Sequence, residues 1–217
     1  MIKFSRLIYR IIRRLSAPYR LHFLGQINSR NEIGKWITLL ASLAETKMVV
    51  EIGAWNGRGS SRMIMNGLRS KPGDVTQVIG LESNPVLYRK AKKFLSKFPN
   101  YSLLWGSIVL PDELDRDDLN AEEVKWLEGD IRDLDAAPYI LDKLPDSIDL
   151  LILDGGEFST YSEYCILHER VKHWIILDDI HTRKCRKIMS ELSNQTNWAI
   201  VFQSHERHGT AVLKRLN

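Results

Sequence analysis

Cysteine is scarce in this 217-residue chain, which contains only Cys165 and Cys185. The two are not spaced as a pair of metal ligands, so a disulfide-rich scaffold and a structural zinc site are both excluded. Long apolar runs are also missing, since no stretch approaches the roughly 20 residues that a membrane-spanning helix needs. Arginines interrupt the N-terminus every three or four residues, which argues against a signal peptide. We therefore expect a cytoplasmic protein in a reducing compartment.

Acidic residues are absent from residues 1–31, which carry seven Lys and Arg and so a charge of +7. Residues 32–217 hold the other 24 basic residues against 27 acidic ones, a charge of −3. The net charge of +4 therefore belongs to the leader and not to the body. A nucleic-acid-binding protein carries its positive charge on the folded body, so we expect no nucleic-acid partner.

The basic leader has the pattern of an amphipathic helix. At 100° per residue, its apolar side chains between Phe4 and Leu15 fall within one arc of about 140°, and its cations between Lys3 and Arg14 within a separate arc of about 100°. Three uses fit this pattern: docking or homodimerisation through residues 2–15, peripheral contact with the inner face of a membrane, and a nucleic-acid arm. We favour them in that order.

From Lys47 onward, apolar strand-like runs alternate with helical stretches. This predicts an α/β fold with a doubly wound, mostly parallel, Rossmann-like sheet of about seven strands. Only residues 204–210 separate the last two runs, so these form a hairpin with one antiparallel C-terminal strand. We expect an appendage at residues 1–31 and one domain at residues 32–217, with an irregular acidic insertion at about 111–136. The predicted strands are 48–52, 75–81, 101–108, 148–153, 174–177, 198–203 and 210–214.

A glycine-rich turn containing Gly53, Gly57 and Gly59 joins the first predicted strand to a helix that starts near Ser60. Doubly wound sheets bind nucleotides at this place, because glycines let a ligand approach the backbone at a helix N-terminus. Trp55 stands where a dinucleotide-binding motif has its second glycine, and no Gly-Lys-Ser/Thr follows as in a P-loop. The turn therefore predicts a nucleotide-like ligand and argues against a pyrophosphate bound close to it.

At this turn the chain resembles the class I S-adenosylmethionine (SAM)-dependent methyltransferases, whose first motif is an acid followed by Gly-x-x-x-Gly at the end of the first strand. The resemblance implies that the turn lines the amino-acid part of SAM and that the acid before it supports the loop. The corresponding residues here are Glu51, Gly53, Ala54, Trp55, Gly57 and Ser60.

The second predicted strand leads into Glu82 and Ser83. The same family carries a carboxylate here that binds the ribose hydroxyls of SAM, and a carboxylate has the acceptor geometry to take both hydroxyl protons. The resemblance thus implies that Glu82 and Ser83 belong to the cofactor site. The alternative is that Glu82 is an ordinary acid at the N-terminus of the next helix.

Two segments are candidates for the adenine pocket, which family members place after the third strand. Gly106 and Ser107 follow the third predicted strand, whereas Gly129 and Asp130 resemble the Gly-Asp pair that often contacts the adenine amino group. We favour Gly106 and Ser107 on strand order. Gly129 and Asp130 lie in a stretch with helical spacing of its apolar residues, so Asp130 is expected to be a solvated helix residue.

Acidic residues end the fourth and fifth predicted strands, at Asp154 and at Asp178 with Asp179. The 24 residues between Asp154 and Asp178 allow a helical crossover, so the two strand ends are expected to be parallel neighbours about 5 Å apart. Three carboxylates then converge beside the cofactor cleft, and a hard divalent cation such as Mg²⁺ would relieve their repulsion. Consecutive strand residues point to opposite faces, however, so Asp178 and Asp179 can converge only if the strand has already turned.

This acidic cluster resembles that of metal-dependent O-methyltransferases acting on the sugars of macrolide and aminocoumarin antibiotics, and that of the cephalosporin-hydroxylase-type group. The resemblance implies Asp154, Asp178 and Asp179 as metal ligands. Glu157 stands where the commoner form has a histidine. An alternative without metal has Asp154 contact cofactor or substrate while Asp178 caps the following helix. The candidate general bases are Asp154 and His181.

These features predict a SAM-dependent O-methyltransferase that acts, with the help of Mg²⁺, on a hydroxyl of a sugar or secondary metabolite. A competing hypothesis is a catalytically inactive methyltransferase-like partner protein in glycan biosynthesis at a membrane surface, based on the basic leader and the missing histidine. A third is a metal-dependent glycosyltransferase that uses Asp178 and Asp179 to bind a diphosphate through a metal. Fold analogy carries much of the first hypothesis, because one sheet can host many chemistries.

Overall fold

The computed structural model describes residues 26–71, 75–192 and 194–216. The predicted helix of the leader lies outside these residues, and so does the predicted contact of residues 2–15 with a membrane or a second copy. Within the described ranges, no helix combines the length and apolarity needed to cross a membrane. Residues 26–31, which the charge split assigned to the appendage, pack on the body, because Ile27 is only 2% exposed within the apolar core.

The described residues form one seven-stranded sheet with the order β3-β2-β1-β4-β5-β7-β6. All pairs are parallel except those of β7, which runs antiparallel to both β5 and β6. The predicted fold class and the C-terminal hairpin are therefore confirmed. The strands are β1 Met48–Ile52, β2 Gln77–Glu82, β3 Tyr101–Trp105, β4 Ile148–Leu153, β5 Val171–Asp178, β6 Trp198–Ser204 and β7 Thr210–Arg215.

Helices cover both faces of the sheet. Strand β4 demonstrates this, because Leu151 and Leu153 pack into one apolar layer while Leu150 and Ile152 pack into the other. A strand buried on both sides reads as a continuous apolar run. The first layer includes residues of α4, α5 and α6, and the second includes residues of α1, α2 and α3. The helices are α1 Glu32–Ser42, α2 Ser60–Leu68, α3 Pro85–Leu95, α4 Ala121–Ala136, α5 Thr160–Leu167 and α6 Arg183–Leu192.

The acidic segment at 111–136 is more regular than predicted. After a short 3₁₀ turn at Pro111–Glu113, helix α4 occupies most of the segment. The Asn120 side chain accepts hydrogen bonds from the Glu122 and Glu123 amides and starts the helix, and Leu127 and Leu134 are buried against the sheet. The prediction of an irregular insertion is therefore wrong for residues 121–136, because an N-terminal cap and a buried apolar stripe outweigh the high acidity.

The sheet register brings the ends of four strands to one edge. Ile52 at the end of β1 pairs with Leu81 of β2 and with Leu153 of β4, and Leu153 pairs with Leu177 of β5. The strand order reverses direction at β1, which is where open α/β sheets bind ligands. The glycine turn, Glu82, Asp154 and Asp178 all follow these aligned residues, so the topology places them together.

Candidate functional site

Two adjoining cavities open at this edge of the sheet. The first, about 200 Å³, extends from the glycine turn toward Glu82, Gly106 and Asp130. The second, about 190 Å³, extends from the same turn toward Ser60, Asp178 and Lys184. Both cavities are lined by Gly53, Trp55, Asp154 and Gly155, which form their common boundary.

The glycine turn is a tight loop held against neighbouring strands. The amides of Gly53 and Ala54 both donate to the Leu81 carbonyl, at 3.1 and 2.8 Å. Gly53 has φ +85°, and a Cβ there would lie 2.1 Å from the Asp154 carbonyl oxygen. Only glycine tolerates both conditions. The loop thus brings bare backbone to the boundary of the two cavities.

The residues predicted from the turn divide into two groups. Gly53, Ala54, Trp55 and Ser60 line the second cavity, and Gly53 and Trp55 also line the first. Gly57 lines neither, because its position faces the Leu95 side chain of α3. Gly57 therefore packs against α3, and its contact with the cofactor stays a prediction.

Glu51 lies beneath the turn, fully buried, and lines neither cavity. Its carboxylate accepts a hydrogen bond from the Tyr101 hydroxyl. Burial raises the pKa of Glu51 to about 7, although hydrogen bonds from Ser60 and Tyr101 act in the opposite direction. The placement agrees with a supporting role for Glu51 and excludes direct contact with a ligand in either cavity.

Glu51 should make the stability of the protein depend on pH. Its ordinary pKa is 4.5 and its folded-state pKa is about 7, so the stability that its protonated form provides is complete below pH 4.5 and is lost as the pH rises through 7. We expect the free energy of unfolding of Glu51→Gln, relative to that of wild type, to be higher at pH 8 than at pH 5 by on the order of 2 to 3 kcal/mol. Urea unfolding at the two pH values measures this difference. The control Glu128→Gln, on the exposed surface of α4, should give no such difference between the two pH values.

Glu82 lies at the end of β2 and lines the first cavity, as does Ser83. Its two carboxylate oxygens accept hydrogen bonds from the Trp55 amide at 2.7 Å and from the Asn84 amide at 2.9 Å. Burial raises the pKa of Glu82 to about 7, against the effect of these two bonds. Each oxygen keeps a second lone pair for a ligand, because a carboxylate offers about four acceptor sites. Glu82 therefore joins the turn to α3 and also faces the cavity.

Both candidate adenine segments line the same cavity. Gly106 and Ser107 approach it from the end of β3, and Asp130 approaches it from α4. The expectation that Asp130 is a solvated helix residue is wrong, because α4 lies across the cavity and turns this side chain toward it. Burial raises the pKa of Asp130 to about 6, and the nearby Asp133 adds to this effect. The two candidates are thus two walls of one pocket.

The predicted convergence of Asp154, Asp178 and Asp179 is found in the structure. One carboxylate oxygen of each lies within 4.8 Å of the others. Asp179 has φ +59°, so the chain leaves the strand geometry directly after Asp178. This left-handed turn, which aspartate tolerates better than most residues, is what lets two consecutive side chains reach the same place.

A lysine from α6 occupies the middle of this cluster. Lys184 is 5% exposed, and its Nζ lies 2.8 Å from Asp154 Oδ1 and 3.2 Å from Asp179 Oδ2. Arg207 Nη1 lies 3.3 Å from Asp178 Oδ2. Burial lowers the pKa of Lys184, but the carboxylates of Asp154 and Asp179 raise it by more, so the ammonium is kept charged. The cluster therefore contains three carboxylates and two cations.

The fit of the cluster to Mg²⁺ depends on this lysine. Carboxylate oxygens are the ligands that Mg²⁺ prefers, so the donor chemistry fits. The local charge does not, because a divalent ion about 4 Å from a buried ammonium is repelled by roughly 8 kcal/mol at an effective dielectric constant of 20. With Lys184 in place, the residues present do not fit a divalent cation.

His181 lies outside both cavities, so the structure does not place it as a general base. Its ring stacks on His205, with Nε2 2.9 Å from His205 Nδ1. The amide of His181 donates to the His208 carbonyl, which holds this segment to the β6–β7 hairpin. The turn at Asp179 thus directs the two aspartates into the site and His181 out to the surface.

Glu157 caps helix α6. Its carboxylate accepts hydrogen bonds from the Lys184 amide at 3.2 Å and the Thr182 hydroxyl at 3.3 Å. The capping role that sequence reasoning offered as an alternative for Asp178 therefore belongs to Glu157. Asp178 instead faces Arg207 and accepts a long hydrogen bond, 3.5 Å, from Thr210.

Comparison with known proteins gives structural matches only. No family model and no curated protein matches the sequence. An O-methyltransferase from Bacillus cereus in complex with SAH superposes with a TM-score of 0.61 at 12% identity, covering 95% of this chain and 90% of the other. The O-methyltransferase TomG from Streptomyces achromogenes, involved in tomaymycin synthesis and bound to SAM, gives 0.60 at 13% identity over 95% and 89%.

The chain has the class I methyltransferase fold. A third structure with this fold, the SAH-bound methyltransferase PaMTH1 from Podospora anserina, superposes with a TM-score of 0.58 at 14% identity over 85% of this chain and 78% of the other. The similarity extends over nearly the whole described body. The glycine turn and the acidic cluster are thus parts of one methyltransferase fold.

The residues of this methyltransferase-fold site that sequence reasoning missed include Lys184, Arg207 and Glu163. Glu163 of α5 is buried and lines the first cavity directly under Gly155, where a Cβ would lie 2.5 Å from Glu163 Oε2. Burial raises the pKa of Glu163 to about 7. Gly155 carries a usable signal, because a glycine beside a predicted ligand marks close approach of another group. Lys184 carries none, since a lysine early in a helix reads as a surface residue.

Proposed function

We propose that this protein is a SAM-dependent methyltransferase that methylates a hydroxyl group of a small-molecule acceptor, a sugar or a secondary metabolite. The observation that carries the proposal is the pair of cavities joined at Gly53, Trp55, Asp154 and Gly155. One cavity offers the groups that hold a nucleoside, and the other offers acids and cations that bind a polar acceptor. Their common boundary is where a methyl group would pass from one to the other.

The first cavity supports binding of the adenosine part of SAM. Glu82 has free lone pairs for the ribose hydroxyls, and Ser83 lies beside it. Gly106, Ser107 and Asp130 line the part of the cavity assigned to adenine. The backbone of the glycine turn, with Ala54 and Ser60, lines the start of the second cavity and would hold the amino-acid part.

SAM, when bound, supplies a methyl group on a positively charged sulfur. The task of the protein is then to orient an acceptor oxygen and to remove its proton. Asp154 lies on the boundary of the two cavities and accepts a hydrogen bond from Lys184 through Oδ1. We assign Asp154 as the group that takes the proton of the acceptor hydroxyl. The new O–CH₃ bond forms as the C–S bond breaks, and the electron pair of that bond stays on sulfur.

The character of the second cavity supports a hydroxylated acceptor. Its lining includes Asp178, Asp179, Lys184 and Arg207, which offer both donors and acceptors. The role of TomG in tomaymycin synthesis supports a secondary metabolite as one acceptor class. Solved relatives of the fold that carry SAM or SAH favour an enzyme over an inactive partner protein. The glycosyltransferase hypothesis requires a metal between Asp178 and Asp179, which Arg207 already bridges, with Nη1 3.3 Å from Asp178 Oδ2 and Nη2 3.9 Å from Asp179 Oδ1.

We also propose the domain organisation, the contacts of the leader and the location that the sequence predicts. Residues 1–31 are the appendage, with residues 26–31 packed on the domain that follows, and residues 2–15 contact a second copy or the inner face of a membrane. The cytoplasm is the proposed location.

Calorimetry with SAM tests the proposal without knowledge of the acceptor. We expect wild type to bind SAM, and Glu82→Gln to bind it about 10- to 100-fold more weakly, because a hydrogen bond to a charged group contributes about 1.5 to 3 kcal/mol. The matched control is Glu113→Gln, which also removes a carboxylate that accepts a backbone hydrogen bond, from the Leu110 amide, but lies outside both cavities. Wild type that fails to bind SAM at high micromolar concentration would count against the methyltransferase.

A further inference from the structure

The buried ammonium of Lys184 stands where the resemblance implied a divalent cation. We propose that Lys184 replaces that cation: it holds the acceptor oxygen and stabilises the negative charge that develops there, so that methyl transfer needs no divalent metal. The catalytic part of this inference rests on the proposed function. The replacement of the metal concerns only the charges of the cluster, so metal binding tests it without SAM or an acceptor.

The hydrogen bonds of Lys184 define its orientation. An ammonium has three N–H donors, and two of them are bonded to Asp154 Oδ1 and Asp179 Oδ2. Lys184 also lines the second cavity, in which the acceptor is proposed to bind. The third donor is therefore the one available to an oxygen atom of the acceptor.

The charges of the cluster are largely offset from within the protein. Asp154, Asp178 and Asp179 provide three negative charges, and Lys184 and Arg207 provide two positive ones. A divalent ion would make the net charge of this largely buried cluster positive. Removing the Lys184 charge leaves three carboxylates against Arg207 alone, which is a net charge that attracts a divalent cation.

The position of Lys184 is unfavourable for a cation except for the acids around it. It is the second residue of α6, where the helix dipole disfavours a cation. Lys187, one turn later in the same helix, makes an ordinary bridge to Asp115 and Asp117 and is 42% exposed. Lys184 instead loses nearly all its hydration, which is tolerated only because the strand-end acids surround it.

In the proposed reaction, Asp154 removes the proton of the acceptor hydroxyl while Lys184 donates a hydrogen bond to the same oxygen. Lys184 keeps its own proton throughout, and its charge offsets the negative charge on the oxygen before the O–CH₃ bond forms. The C–S bond that breaks returns its electron pair to sulfur. Overall one proton is released to solvent from Asp154, and no metal-bound species is required.

Binding of Mn²⁺ to the full-length protein tests the replacement, with Mn²⁺ alone as the probe, at pH 8, followed by electron paramagnetic resonance and calorimetry. We expect no saturable binding at this cluster in wild type at submillimolar Mn²⁺. Lys184→Met, which keeps the length of the side chain without its charge, should bind Mn²⁺ at least about 30-fold more tightly than wild type. Adding Asp178→Asn to Lys184→Met should abolish the gained site.

The matched control is Lys187→Met, the same substitution one turn away, which should bind Mn²⁺ as weakly as wild type. Tight, Asp178-dependent Mn²⁺ binding by wild type would overturn the proposal, and that measurement stands even if Lys184→Met fails to fold. Failure of Lys184→Met to gain binding, with an unfolding midpoint near that of wild type, would also overturn it. Absence of SAM binding would instead refute the proposed function and leave the Mn²⁺ outcome to be judged on its own.

Once an acceptor is in hand, activity provides the second readout. We expect the wild-type rate to be unchanged, within about twofold, by excess chelator, and Lys184→Met to lose at least about 100-fold in kcat with SAM affinity little changed. Added Mn²⁺ should restore part of the lost kcat in Lys184→Met. Lys187→Met should have the wild-type kcat, and Mn²⁺ should not change it. A chelator-sensitive wild-type enzyme would contradict the catalytic part of the proposal.

Discussion

Replacing Gly53 by alanine is expected to destabilise the protein by about 3 kcal/mol or more and to abolish measurable SAM binding. The added Cβ would lie 2.1 Å from the Asp154 carbonyl oxygen, which belongs to the backbone and cannot move aside alone. The φ of +85° adds strain for any residue with a side chain. Both effects push the turn away from β4 and change the boundary of the two cavities. Urea unfolding and calorimetry with SAM measure the two losses.

Gly129→Ala is the matched control for this substitution. Gly129 lies within α4, and a Cβ there would meet only Arg132 Nη2, at 3.9 Å. Alanine is favoured over glycine inside a helix by roughly 0.5 to 1 kcal/mol, so this variant should be as stable as wild type or slightly more stable. A Gly53→Ala protein that unfolds at the wild-type midpoint and binds SAM normally would show that the turn is not constrained as described.

Asp154→Asn is expected to slow methyl transfer by about 1,000-fold, because general-base catalysis contributes about 100- to 10,000-fold and an amide cannot take the proton. The substitution keeps the shape of the side chain, and its carbonyl oxygen can still accept the hydrogen bond from Lys184. SAM affinity should therefore change by only a few fold. Single-turnover rates with an accepted hydroxyl substrate, together with calorimetry, separate these two effects.

The control for Asp154→Asn lies on the same strand. Asp149 is buried near the other end of β4, where its Oδ2 accepts hydrogen bonds from the Lys47 and Met48 amides, both at 2.8 Å. Asp149→Asn should lower the unfolding free energy without lowering the rate per folded molecule. If Asp154→Asn keeps more than about a tenth of the wild-type rate, the proton is taken by another group and the assignment is wrong.

Most of the sheet could be predicted because its central strands are buried on both faces. The predicted bounds 48–52 and 148–153 agree with β1 and β4, and the hairpin of β6 and β7 follows from the short segment between them. The predicted fifth strand, 174–177, is shorter than Val171–Asp178, because Lys172 and His173 interrupt the apolar run. Helix α4 is predicted only in part, because the helical spacing of the apolar residues around Gly129 and Asp130 indicates a helix, whereas the acidity of residues 111–136 favours an irregular insertion.

Only the site residues at the ends of strands could be predicted from the sequence. Glu82 and Asp178 end β2 and β5, and Asp154 directly follows β4, so their placement at one edge of the sheet was predictable. Lys184, Asp130 and Glu163 lie on helices, and the direction of a helical side chain depends on how the helix packs. The position of His181 outside both cavities depends on the left-handed conformation of Asp179, which directs the chain toward the β6–β7 hairpin.

The sequence by itself determined the order of strands and helices, the glycine turn and the acids that end β2, β4 and β5, because burial periodicity and turn chemistry are local properties of the chain. Only the tertiary structure decided what neutralises those acids. The charge of a carboxylate cluster depends on every group that reaches it, and Lys184 and Arg207 come from a helix and a hairpin whose approach no local pattern records. Because Lys184 reaches the carboxylates, the cation that we expect among them is its ammonium group and not a metal ion.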